Sequence, residues 1–167
     1  RQAVARTDGT AEPELQAQAY GWLGGLLAER AAGDADPVAW LDQAIEAYQI
    51  GLQGCRRAWF PLIWAKLQTD LAIAWQWREC AQEEDDGGSA KRILAAITAY
   101  KAALKFYRVD TNPSQYGGVI GNLPGLLVWL GKLDSENRRE HWLEAQDWLV
   151  AAWAVPGMDQ RSMGGIQ

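Results

Sequence analysis

Histidine, paired cysteine, clustered basic charge and strand-like alternation are all scarce in this chain of 167 residues, and each scarcity removes a class of function. The net charge is −5 and the densest basic pairs, Arg56-Arg57 and Arg138-Arg139, stand alone. A phosphate-neutralising surface is therefore missing and nucleic-acid binding is disfavoured. The single histidine, His141, and two distant cysteines, Cys55 and Cys80, are too few for a zinc site. The cysteines read as two buried thiols in a reducing compartment, with a disulfide as the alternative. His141 sits on a polar helix start beside Glu140 and Glu144, and reads as a surface residue. Neither thiol has a neighbouring base or helix N-terminus to activate it.

The acidic run Glu83, Glu84, Asp85, Asp86 lacks calcium-loop spacing. The glycine pairs Gly24-Gly25 and Gly117-Gly118 lack the context of a phosphate loop. No catalytic residue, metal or cofactor is expected, and the chain reads as non-enzymatic. Residues 111–131 carry no charge, but Pro113, Pro124 and several glycines interrupt them, so membrane insertion is not expected.

What is abundant is apolar surface at helical spacing. Apolar residues make up 49% of the chain, enough for one globular domain with a real core. The ten tryptophans read as core packing. Leu41, Ala44, Ile45, Tyr48 and Leu52 form one helical stripe, and Ile93, Ala96, Ile97, Tyr100 and Leu104 form another. The phrases AIEAYQIGL and AITAYKAAL match at a shift of 52 residues, an internal repeat. The same shift places Pro61 on Pro113, Trp64 on Tyr116 and Leu71 on Leu123.

Three helix–turn–helix units follow, at about 13–55, 59–107 and 113–155. Asp36-Pro37, Pro61 and Asn112-Pro113 mark helix starts. Pro124 predicts a kink inside its helix. Residues 83–89 read as a solvent loop, and 1–12 and 156–167 as flexible ends. The chain begins at Arg1, which points to a piece of a longer protein.

These motifs resemble the tetratricopeptide repeat (TPR) in a bacterial variant. The first helices read Tyr20-x-x-Leu23-Gly24-x-x-Leu27, Trp64-x-x-Leu67-Gln68-x-x-Leu71 and Tyr116-x-x-Val119-Ile120-x-x-Leu123. The second helices read Ala44-x-x-x-Tyr48-x-x-Gly51-Leu52, Ala96-x-x-x-Tyr100-x-x-Ala103-Leu104 and Ala145-x-x-x-Leu149-x-x-Ala152-Trp153. The units exceed the family's usual length of about 34 residues, and the third is degenerate.

The resemblance implies an all-α fold: antiparallel helix pairs stacked as a short right-handed α-solenoid, first helices lining a concave groove. It maps the groove to Gln18, Gly21, Gly25 and Glu29, then Leu62, Ala65, Lys66, Thr69 and Ile73, then Gly117, Gly121 and Asn122. Only Lys66 and Asn122 match a carboxylate clamp, so an apolar or mixed peptide is the expected ligand. The expected role is a protein–protein interaction scaffold in the cytoplasm. An alternative is the recognition region of a larger signalling enzyme carrying a caspase-like protease or a signalling ATPase. Trp129, Trp142, Trp148 and Trp153 crowd the last helix pair and point to self-association there.

Overall fold

In the computed structural model, residues 13–82 and 87–155 are described. The two expected flexible ends, and Glu83 to Asp86 of the expected loop, lie outside them. Among the described residues there are six helices and no strand: α1 (Pro13–Ala31), α2 (Pro37–Gly54), α3 (Pro61–Ala81), α4 (Ser89–Ala103), α5 (Pro113–Leu133) and α6 (Arg138–Trp153). None is long and apolar enough to cross a membrane.

Proline occupies the first turn of α2, α3 and α5, where its missing N–H would have no helical partner. The caps differ from expectation. Asp36 and Asn112 stand at N-cap positions without side-chain cap bonds. Instead Asp34 accepts from the Asp36 amide at 3.0 Å and from Trp40 Nε1 at 2.9 Å, bracing the α1–α2 turn. Pro124 does not end α5, which runs through it, and the ring is buried. The burial of Leu123, Leu126, Leu127 and Leu130 in the same helix offsets the lost backbone bond.

Each helix packs most closely against its neighbours in sequence, and α1 also touches α3. The core has two main clusters that share α3. Leu67, Leu71 and Ala74 join Leu41, Ala44, Ile45 and Tyr48 on one side. Ala65 and Ala72 join Ile93, Ile97, Tyr100, Val119, Leu123 and Leu127 on the other. Each fully buried aliphatic side chain stabilises the fold by about 1.5–3 kcal/mol relative to exposure.

The tryptophans require a correction. None of the ten is fully buried; Trp22, Trp59, Trp77, Trp142 and Trp153 are exposed and the others lie half-buried around the clusters. Alanine fills many of the contacts between helices, and where an aromatic ring enters one, a glycine makes room for it. A Cβ on Gly24 would lie 2.6 Å from the Tyr48 ring, and one on Gly131 would lie 2.6 Å from the Trp142 indole nitrogen.

Polar ties cross the same seams. Arg78 of α3 donates to Asp42 of α2 at 2.8 Å. The buried Glu79 accepts from Arg92 of α4. Lys101 of α4 pairs with Glu144 of α6 at 2.5 Å.

Candidate functional site

The solvent-facing side of α3 carries Leu62, Lys66, Asp70, Ile73 and Trp77, spaced so that they form one row along the helix. Leu62 and Trp77 are exposed, and Ile73 is half-buried against the second cluster. Lys66, exposed, pairs with Asp70 at 2.6 Å across one helical turn. Thr69 donates back to the Ala65 carbonyl at 3.0 Å, so its hydroxyl is tied to its own helix.

Asp70 is the centre of this row. Its charge acts on three phenols contributed by two other helices and the turn after α4: Tyr48, Tyr100 and Tyr107. Burial is the main reason that all three phenols titrate above the ordinary tyrosine range, and the nearby carboxylate adds to it. The Asn122 amide of α5 donates to the Tyr100 oxygen at 3.2 Å and partly opposes that rise. The Thr69 hydroxyl has the same opposing effect on Tyr107. The result is three buried, neutral phenols within the core behind this row.

Of the expected groove residues, Lys66 pairs with Asp70, Thr69 acts on Tyr107 and Asn122 donates to Tyr100, while Leu62 and Ile73 lie in the row on α3. Ala65 and Gly117 are a correction: both are buried against neighbouring helices and present no surface. On α1, the half-buried Gln18 donates to Glu14 at 3.1 Å, while Glu29 is exposed. Gly21 is partly covered by Leu67, which would lie 3.1 Å from an added Cβ. Gly25 lies near the Tyr48 hydroxyl, 3.9 Å from an added Cβ, and Gly121 is half-buried on α5. Asp70 is the one polar residue of the α3 row outside that expectation; Tyr48 and Tyr100, at equivalent places in the repeat, are buried as their helical stripes imply.

The other candidates resolve differently. The thiols are not joined; Cys55 is buried but Cys80 is exposed, against the expectation of two buried thiols. Burial raises both thiol pKa values, with Glu14 and Glu79 adding to the rise, so both stay protonated and unreactive near neutrality. His141 is half-buried rather than a free surface residue. Its Nε2 lies 3.1 Å from Asp134, which also accepts from the Asn137 side chain and amide. These bonds, Asn137 foremost, lower the Asp134 carboxyl to about 2. Among the described residues no group of histidine, cysteine and carboxylate side chains could hold a metal ion.

A shallow depression of ≈ 550 Å³ lies at the α5–α6 turn, lined by Ser135, Arg138, Arg139 and Trp142 among others. None of the expected groove residues lines it. Arg138 is engaged there, donating to the Gly131 carbonyl at 3.0 Å and lying 5.9 Å over the Trp142 ring.

The fold and this row define an all-α protein whose α3 face carries the exposed Leu62, Lys66 and Trp77, with the Tyr48, Tyr100 and Tyr107 phenols buried in the core. No protein-family model, curated protein or solved structure matches the chain.

Proposed function

We propose that this chain is a non-enzymatic interaction module: three helix pairs stacked as a short right-handed solenoid of the tetratricopeptide type, capturing a peptide along α3 and α5. The observation that carries the reading is the row of Leu62, Lys66, Asp70, Ile73 and Trp77 on α3, together with the exposed Asn122 of α5. The close seat of Tyr48 on Gly24 supports it, because these are the aromatic and small residues of the repeat pattern. The order of helix contacts, each pair followed by the next, also supports it.

Such a face suits an extended segment of mixed character. The Asn122 side chain and the Lys66–Asp70 pair offer partners for its main-chain and polar groups. Leu62, Ile73 and Trp77 offer apolar area, and aromatic side chains anchor interfaces most strongly. A displayed peptide library panned on the chain tests this. Selected peptides should bind the parent protein and lose at least about tenfold in affinity, about 1.4 kcal/mol, to Lys66→Glu or Asn122→Ala. Helical circular dichroism should be unchanged in both variants. Selected peptides that bind the variants equally well would remove the groove from consideration.

A further inference from the structure

Inside the chain, every junction between one helix pair and the next covers two repeat positions, and at the two ends those positions lie open. On the first helices the position is Leu23, Leu67 and Val119. Leu67 and Val119, with a preceding pair to pack on, are 3% and 1% exposed; Leu23 is 45% exposed. On the second helices the position is Tyr48, Tyr100 and Leu149. Tyr48 and Tyr100, with a following pair, are 4% and 0% exposed; Leu149 is 42% exposed. Trp153, one turn beyond Leu149, is exposed where its counterparts Leu52 and Leu104 pack against the clusters. Terminal units of stacked-repeat proteins ordinarily turn a polar face outward. Both ends here turn an apolar one.

The chemistry at the seams identifies what covers them. At the junction of the second and third pairs the Tyr100 tip accepts from Asn122 on the next first helix at 3.2 Å; Asp70 holds the Asn122 position one unit earlier, and its charge acts on Tyr48. A polar tip meets a polar partner. The corresponding position on α1 is Leu26, exposed, and the corresponding tip on α6 is Leu149. Both members have changed together from polar to apolar. Between Glu14 and Glu29, α1 carries no charge, so nothing on it opposes an apolar contact.

We propose that copies of this chain stack head to tail, the α6 face of one seated on the α1 face of the next, with Leu149 against Leu26 and Leu23. The proposal rests on the stacked-pair reading of the fold and is independent of peptide capture. The interface is heterologous: its two halves are different surfaces, so stacking continues beyond a dimer.

Sedimentation of the parent chain across micromolar to millimolar concentration tests it. The average mass should rise continuously above the monomer without stopping at two copies. Leu26→Asp alone and Leu149→Asp alone should each be monomeric, with unchanged helical circular dichroism. An equimolar mixture of the two should give a one-to-one dimer, because it retains one intact half-interface of each kind. A parent chain that remains monomeric throughout would overturn the proposal and assign these faces to some other protein or chain segment. A dimer that survives Leu26→Asp but not Leu149→Asp would also overturn it, showing two α6 ends joined to each other. Selected peptides that bind a monomeric parent chain would leave the groove reading standing while the stacking proposal fails.

Discussion

Asp70 illustrates how little of a residue's role lies in its type. In sequence it is one of 21 acidic residues, and folding brings its charge to bear on three buried phenols. These tyrosines carry a pH signature. Their folded pKa values are raised above the unfolded value of about 10, so the stability from their neutral form is complete below that pH. It should fall as pH climbs above about 10, since the unfolded chain releases these protons first. A urea midpoint that stays constant across the onset of free tyrosine titration would contradict this. Among the same phenols, Tyr100→Phe removes the acceptor of Asn122 and should cost about 1 kcal/mol in urea unfolding, with no loss of helix content. The tryptophans teach the opposite lesson. Their number was legible, but their placement was not, because which helix surfaces meet, and which indole a glycine such as Gly131 admits, is set by distant segments.

At the scale of a helix, two glycines on first helices make opposite predictions. Glycine costs a helix interior about 1 kcal/mol relative to alanine. At Gly118 an added Cβ meets nothing within 4 Å, so Gly118→Ala should stabilise the protein by about that amount. At Gly24 it meets the buried Tyr48 ring at 2.6 Å. Overpacking of this kind costs about 1–3 kcal/mol, which exceeds the gain in propensity, so Gly24→Ala should lower the urea midpoint. Equal midpoints for the two variants would mean that Tyr48 moves aside freely. Both glycines look alike in the sequence; only the opposing helix distinguishes them. The helix starts, by contrast, were legible to within a few residues, because proline states them locally.

For the molecule as a whole, the apolar clusters hold adjacent pairs together and Glu79 ties α3 to α4 at their polar margin. It is 4% exposed and is held by Arg92 and Arg78, while Arg78 also reaches Asp42 on α2. Glu79→Ala should cost about 2–3 kcal/mol and broaden the urea transition, because it removes the buried acceptor between two arginines at the seam. A change below about 0.5 kcal/mol, the range of ordinary surface substitutions, would show that the seam is held by apolar contact alone.

Sequence alone determined the six helices, their order and their pairing. Periodicity and proline placement act within one turn of the chain, and the shift of 52 residues exposed the repeat. Tertiary structure decided the rest. Which tryptophans stay outside, which glycine tolerates a methyl group, which carboxylate acts on three phenols and which leucines lack a cover all depend on surfaces meeting across distant segments. A repeat pattern states that position 149 corresponds to position 48. Only the absence of a further helix beyond α6, among the described residues, leaves one of them open to solvent.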